Sequence, residues 1–329
     1  MVCRSGAIRG ASDMKIVGCM LVRNEEWIIG ASLPAALKWC DEVCVLCHDC
    51  TDRTVEIVGE IALLNPGRVK MLFEGPSEHW AEMDLRDRLL RTAREIMSAT
   101  HFGLIDADEI PTANVIPRLR GFCERLTPGQ VLELPMVPVW GDLDHFRQDR
   151  SVWSHGVLSI AINDNADKSL THKPREDGYH FHNRIPSGAG GRYVPWLEKM
   201  PSKEHAGGGA MHLQFANKRR LIAKHVLYRM VERVRWPDRR TVKELNAIYD
   251  AALDEREMHL HPVPPEWWAG IAKDQIKLDS HPYQEEQIFE LLDKNGVERF
   301  AGLDLKGFET RWRSERSARS KTAPAATGM

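Results

Sequence analysis

The sequence contains no apolar stretch near the ~20 residues that a membrane-spanning helix requires, so an integral membrane protein is not predicted. Residues 1–13 are polar and lack a hydrophobic signal core, which argues against a secreted protein. A strong charge of either sign is absent too, since 45 basic and 47 acidic residues leave a net charge of -2. A general nucleic-acid binder would be basic overall, so the net charge argues against that class. We expect a cytoplasmic protein with at most peripheral contact at the inner face of a membrane.

The seven cysteines do not indicate a disulfide framework, which is rare in cytosolic chains of this length. Four of them lie close together, at Cys40, Cys44, Cys47 and Cys50. The spacing of the first three matches the radical-SAM iron–sulfur motif, so an iron–sulfur protein is one alternative. However, Cys44 lies in the apolar run Val43–Leu46, where cysteine behaves as a small buried hydrophobic residue. A cluster would require that predicted strand to be a loop, so we favour buried thiols.

With 43% hydrophobic and 28% charged residues, the 329-residue chain is typical of globular proteins with one large domain or two modest ones. Its first half alternates between strand and helix patterns. Strands are predicted at 15–22, 42–46, 69–73 and up to 106, and helices at 27–39, 54–64 and 82–98. This order implies a parallel sheet with helices on both faces.

The pattern changes after residue 130. Segments 131–140 and 152–163 are predicted to be antiparallel additions to the sheet. The stretch 164–209 is rich in His, Pro and Gly, which is typical of long loops. Helices are predicted at 217–235, 241–258 and 284–292.

An acidic tetrapeptide, Asp106-Ala107-Asp108-Glu109, follows directly after the apolar run that ends the fourth predicted strand. Ligands of such sheets bind beyond the carboxyl ends of the strands. Carboxylates at short range raise each other's pKa unless a positive charge lies between them. Divalent cations prefer oxygen ligands, and Mg²⁺ is commonly held by one or two carboxylates plus substrate phosphates. The position of the cluster therefore favours a metal site.

Three other segments accompany this cluster in order along the chain. An Asn-Glu turn begins at Arg23, a Thr-Asp-Arg-Thr turn spans 51–54, and a His212 segment spans 211–215. Together with the acidic cluster, these segments resemble the family 2 glycosyltransferases and their relatives with the GT-A fold. The resemblance covers residues 14–110 well and 200–235 loosely.

The resemblance implies an α/β fold of the GT-A, Rossmann-like type. Its central sheet would be mostly parallel and flanked by helices, with added antiparallel strands and a C-terminal helical extension. The expected domains are a disordered N-terminal extension (1–13), a GT-A-like catalytic domain (14–225), a C-terminal helical extension (226–312) and a disordered tail (313–329).

The resemblance also implies roles for individual residues. The expected metal ligands, for Mn²⁺ or Mg²⁺, are Asp106, Asp108 and His212, and Glu109 would support them from outside the coordination shell. Nucleotide binding is expected from Arg23, Asn24, Glu25, Asp49, Arg86 and Asp106, with Arg88 as an alternative to Arg86. Glu204 and Asp177, together with Glu176, are the candidates for the general base.

The implied activity is metal-dependent transfer of a sugar from a nucleotide-diphosphate donor to a hydroxyl acceptor, with inversion. The acceptor would be a glycan, a lipid-linked sugar or a protein, and no specific nucleic acid is expected. Where the family places a base-reading Asp, this chain has Cys47 and His48, with Asp49 one residue later. A non-catalytic nucleotide- or sugar-binding module of the same fold therefore stays open. A sugar nucleotidyltransferase is disfavoured, because no Gly-rich loop follows the first strand.

Overall fold

The structure, a computed structural model, describes residues 14–76, 82–149, 154–164, 170–172, 184–195 and 207–322. The expected N-terminal extension (1–13) and the end of the expected tail (323–329) lie outside these residues. The chain divides into two compact units. The first comprises the residues up to 216 together with 260–278, and the second comprises 217–259 and the residues from 279 onward.

Strands and helices alternate through the first part of the first unit, as the apolar pattern predicts. They are β1 (Ile16–Val22), α1 (Ile29–Ala36), β2 (Glu42–His48), α2 (Thr54–Leu64), β3 (Val69–Glu74), α3 (Glu82–Glu95) and β4 (His101–Asp106). Pro34 lies inside α1. α3 ends earlier than expected, and Ser98 shortly after it has a φ of 57°, which a helix cannot continue through.

The remaining elements of this unit are shorter. They are β5 (Glu109–Pro111), α4 (Ile116–Cys123), β6 (Val131–Pro138), β7 (His145–Arg147), β8 (Val157–Asn163), β9 (Arg192–Tyr193), β10 (Ala210–His212) and β11 (Leu260–Pro262). Helix α4 was not predicted from the sequence. β11 pairs with β7 in a separate two-stranded sheet.

The main sheet has the order β3-β2-β1-β4-β8-β6-β10-β5, and β9 pairs with β6. The first four strands in this order are parallel. β8 pairs antiparallel with both β4 and β6, and β10 is parallel to β6 and antiparallel to β5. The expectation of a mostly parallel α/β sheet with added antiparallel strands is confirmed, and the architecture agrees with a GT-A-like fold.

Strand β1 is almost wholly apolar because helices cover both faces of the sheet at this point. Its side chains alternate between two hydrophobic clusters. Val17 and Cys19 pack in the cluster that includes α3, whereas Met20 and Val22 pack in the cluster that includes α1, α2 and α4. Burying one large aliphatic side chain stabilises a fold by roughly 1.5–3 kcal/mol. Packing on both faces therefore stabilises the strands that carry the residues at the edge of the sheet.

The second unit is helical in the described residues. Its helices are α5 (Lys218–Arg235), α6 (Val242–Asp250), α7 (Gln284–Asn295) and α8 (Phe308–Thr322). Asn217 caps α5 by accepting a hydrogen bond from the amide of Arg220, and Thr241 and Glu244 form a capping box on α6. Because α8 runs to Thr322, residues 313–322 of the expected tail are helical.

The basic side chains of α5 are largely engaged within the second unit. Arg219 pairs with Glu285 at 2.6 Å, and the fully buried Arg229 pairs with Asp250 at 3.1 Å. No helix among the described residues is long and apolar enough to cross a bilayer.

Candidate functional site

The carboxyl ends of three neighbouring strands form the edge at which the candidate site lies. β2, β1 and β4 run parallel, and Leu21 pairs with Leu46 on one side and with Asp106 on the other. The residues that follow these strands, including Arg23 and Asp49, therefore lie at the same edge. Open α/β sheets bind their ligands at such an edge.

The acidic tetrapeptide is a turn between two strands. Asp106 is the last residue of β4 and Glu109 is the first of β5. β5 pairs antiparallel with β10, and in this register Glu109 lies opposite His212. The carbonyl of Asp108 accepts a hydrogen bond from the amide of Leu213 at 2.7 Å, which fastens the turn to the end of β10. Strand pairing therefore brings the histidine to the carboxylates.

Asp108, Glu109 and His212 form a cluster of potential metal ligands. His212 Nε2 lies 3.7 Å from Asp108 Oδ2 and 3.9 Å from Glu109 Oε1. One ligand atom from each residue lies within 4.8 Å of the other two. An octahedral ion with bonds of about 2.1 Å needs neighbouring donor atoms about 3 Å apart, and the two distances from His212 Nε2 to the carboxylates exceed this spacing by less than about 1 Å. Two carboxylates and an imidazole suit a divalent cation.

The ring of His212 is held from its other side. Its Nδ1 lies 3.4 Å from Met136 Sδ, and its ring packs edge-on against Phe215 with the centroids 5.2 Å apart. These contacts direct Nε2 towards the carboxylates. The resemblance predicts Asp106, Asp108 and His212 as metal ligands. In the structure, Asp108 and His212 come together with Glu109.

Asp106 is surrounded by arginines. Arg86 Nη2 donates to Asp106 Oδ1 at 2.9 Å, and Arg184 donates to Asp106 Oδ2. Burial alone would raise the pKa of the Asp106 carboxyl, but Arg184 and Arg86 outweigh it and hold that pKa well below its ordinary value. Arg86 also pairs with Glu82 at 2.8 Å. Asp106 is therefore ionised at neutral pH and balanced by side chains of the protein.

Arg184 is the residue of this site that the sequence did not reveal. Its guanidinium donates to both oxygens of Glu109, at 2.5 and 2.6 Å, in the paired geometry that carboxylates favour. Burial raises the pKa of Glu109, and Arg184 counteracts part of that rise. Arg184 lies in the stretch rich in His, Pro and Gly, where no periodic pattern marks one residue above its neighbours.

Asn24 joins the turns that follow β1 and β2. Its Oδ1 accepts a hydrogen bond from the amide of Thr51 at 2.7 Å, and its Nδ2 donates to Thr51 Oγ1 at 3.1 Å. Asn24 and Asp49 both adopt positive φ, 53° and 45° respectively, a conformation that Asn and Asp tolerate better than most residues. The side chain of Asn24 therefore links the turn after β1 to the turn after β2.

Other residues expected at the nucleotide lie near this turn. Arg23 pairs with Asp49 at 2.5 Å, and about a quarter of each side chain is exposed. Glu25 accepts a hydrogen bond from the indole of Trp27 at 2.7 Å. The candidate general bases Glu204, Asp177 and Glu176 lie outside the described residues.

Cys40, just before β2, and Cys44 and Cys47 within it are buried thiols. Cys44 packs in the hydrophobic cluster on the α3 face, whereas Cys40 and Cys47 pack in the cluster on the opposite face. Burial raises the pKa of Cys44 to about 12, which disfavours the thiolate that a metal ligand requires. Within the described residues, no three cysteines come together as a ligand group. This arrangement speaks against an iron–sulfur cluster.

The fold and site define an α/β protein with an acidic, histidine-containing cluster at the carboxyl edge of its sheet. No protein-family model matches the chain, and no curated protein matches it. Among solved structures, it is similar to S. aureus TarS 1–349, with a TM-score of 0.36 and 13% identity over 93% of this chain and 92% of that chain.

Two further TarS structures give similar values. TarS 1–349 in complex with UDP has a TM-score of 0.37 and 13% identity over 95% of this chain and 93% of that one. For a longer TarS chain, the TM-score is 0.40 and the identity 14%, over 94% of this chain and 54% of that one. Identity and TM-score are both low, so these structures assign no function to the chain.

Proposed function

We propose that this chain is a metal-dependent glycosyltransferase of the family 2 type. It would transfer a sugar from a nucleotide-diphosphate donor to a hydroxyl of a glycan, a lipid-linked sugar or a protein, with inversion. The observation that carries the proposal is the group formed by Asp108, Glu109 and His212 beside the carboxyl ends of β1, β2 and β4.

In this proposal Asp108 and His212 hold the metal, and Glu109 completes or supports the site. A bound Mn²⁺ or Mg²⁺ supplies Lewis-acid stabilisation of the leaving nucleotide diphosphate. Asp106 stays ionised beside its two arginines and takes part in binding the ion or the ribose. Contacts of His212 with Met136 and Phe215 keep its ring oriented for this task.

The nucleotide would lie against the turns that follow β1 and β2. Arg23 and Asp49 form a partly exposed edge there, and Asp49 would take over the base contact that the family assigns to the end of the second strand. Asn24 and Glu25 stabilise the shape of this edge through their hydrogen bonds to neighbouring residues. Arg86 contributes positive charge next to Asp106.

A carboxylate from Glu204 or Asp177 would act as the general base that deprotonates the acceptor hydroxyl. A single displacement at the anomeric carbon then inverts its configuration. We further propose that the enzyme acts in the cytoplasm, with at most peripheral contact with a membrane.

The test is a thermal-shift screen of uridine, guanosine, cytidine and adenosine diphosphates with and without Mn²⁺. We expect one nucleotide to raise the melting temperature only when the metal is present, because a ligand that binds the folded state stabilises it. Asp108→Asn should abolish this shift, and Asp274→Asn, at an exposed position, should keep it. If no nucleotide shifts the wild type, or Asp108→Asn keeps the shift, the proposed site is wrong. Metal-dependent binding without turnover of any sugar donor would instead favour the non-catalytic module.

A further inference from the structure

Arg184 lies within the acidic cluster as an internal cation. It donates two hydrogen bonds to Glu109, one to Asp106 and one, at 3.2 Å, to the carbonyl of Ser159. Only 12% of its side chain is exposed, so solvent screens these contacts weakly. An arginine held in this way acts as a built-in counter-ion.

The guanidinium and the potential metal ligands share one carboxylate. Glu109 Oε1 accepts a hydrogen bond from Arg184 Nη2 at 2.6 Å. The same oxygen lies 3.9 Å from His212 Nε2, and Glu109 belongs to the three-residue ligand group. A divalent cation bound there would lie beside the guanidinium, and the two positive charges would repel each other.

The charge balance of the cluster also indicates that Arg184 opposes the binding of a cation. Among the described residues, its carboxylates outnumber its guanidiniums by two: the carboxylates are Glu82, Asp106, Asp108 and Glu109, and the guanidiniums are Arg86 and Arg184. Without Arg184, the excess of negative charge would rise to three. Removal of this one side chain should therefore strengthen the attraction of the cluster for a divalent cation.

We propose that Arg184 is a tethered counter-ion that competes with the metal for Glu109 and thereby sets the metal affinity of the site. In the absence of metal it neutralises Glu109 and Asp106. When a divalent cation binds, Glu109 is drawn towards the ion and its pairing with Arg184 weakens. This inference rests on the metal site of the proposed function.

The direct test is titration of the protein with Mn²⁺ alone, at constant ionic strength, followed by electron paramagnetic resonance of the free ion. We expect Arg184→Gln to bind Mn²⁺ at least tenfold more tightly than the wild type. The matched control is Arg91→Gln, which removes the same charge from a 60% exposed side chain paired with Asp87. Its Mn²⁺ affinity should stay within about twofold of the wild type, because an exposed charge is well screened.

Arg184→Gln removes the guanidinium partner of the buried Glu109 and leaves Asp106 with Arg86 alone, and the loss of a partner from a buried ion pair destabilises a fold. A second comparison reduces this difficulty by removing charges of opposite sign together, which leaves the net charge of the site unchanged. Asp106→Asn combined with Arg184→Gln should bind Mn²⁺ at least tenfold more tightly than Asp106→Asn alone. In the same samples, Mn²⁺ should raise the melting temperature of the double variant more than that of the single variant.

The outcomes separate this inference from the function on which it rests. If the wild type binds Mn²⁺ and neither Arg184 variant binds it more tightly than its parent, Arg184 does not compete and the metal site stands. If neither the wild type nor any Arg184 variant binds Mn²⁺, the metal site itself is wrong and the inference fails with it.

Discussion

Replacement of Asp106 by Asn tests how the protein balances charge at the edge of its sheet. The substitution preserves the size of the side chain but removes the charge that faces Arg86 and Arg184. Removing one partner of a buried ion pair typically costs 3–5 kcal/mol. Here the side chain is 29% exposed and each arginine keeps a second carboxylate, Glu82 or Glu109. We therefore expect Asp106→Asn to lower the free energy of unfolding by about 2 kcal/mol at pH 7.

The effect should depend on pH in a defined direction. Arg184 and Arg86 hold the folded-state pKa of Asp106 below its ordinary value, which is about 3.9 in an unfolded chain. The contribution of Asp106 to stability is therefore complete above about pH 5 and is lost as the pH falls towards the folded-state value. Between pH 5 and pH 3, the stability difference between wild type and Asp106→Asn should narrow by about 1 kcal/mol.

Urea unfolding followed by circular dichroism at pH 7, 5 and 3 measures both quantities. The control is Glu74→Gln, which removes a carboxylate paired with Arg88, where both side chains are more than one-third exposed. An exposed pair contributes little, so this variant should lose less than about 0.5 kcal/mol. A loss for Asp106→Asn no larger than that of the control, or one that does not change with pH, would refute the reasoning.

Two other predictions concern the position of β10 and the reactivity of the thiols. A Cβ at Gly209 would lie 2.3 Å from the carbonyl oxygen of Pro135, so Gly209→Ala should displace β10 together with His212. We expect a destabilisation of about 1–3 kcal/mol and a weaker Mn²⁺-dependent melting shift; unchanged values for both would contradict this packing. Among the described cysteines, Cys50 should react first with iodoacetamide, because a hydrogen bond from the thiol of Cys47 lowers the pKa of Cys50. Burial raises the pKa of Cys44 to about 12, so mass spectrometry that finds Cys44 alkylated before Cys50 in the folded protein would overturn this order.

The sequence predicted the first half of the sheet well because that information is local. The apolar run before Asp106 and the spacing of Leu85, Leu89 and Ala93 on α3 each specify a secondary structure without reference to distant residues. Parallel order then places the carboxyl ends of the strands at one edge. The acidic turn and the Asn-Glu turn can therefore be expected near each other from the sequence alone.

Contacts between short segments that are far apart in the sequence could not be predicted from local patterns. β10 is only three residues long, so its sequence shows no period from which its neighbour can be read. The pairing of Glu109 with His212 depends on the register between β10 and β5. Arg184 lies in a stretch without periodicity, and its partners Asp106 and Glu109 are remote in the chain.

The amino-acid order alone was sufficient for the α/β class, the parallel core and the presence of three carboxylates at the end of a strand. These properties follow from local apolar patterns and from the direction of the chain. The tertiary structure decided which cation each carboxylate faces. Asp106 pairs with two arginines, and Asp108 lies beside His212. Glu109 pairs with Arg184 and also lies near His212. Electrostatic partners depend on distances between side chains, and only the register of distant strands and the path of the loops determine those distances.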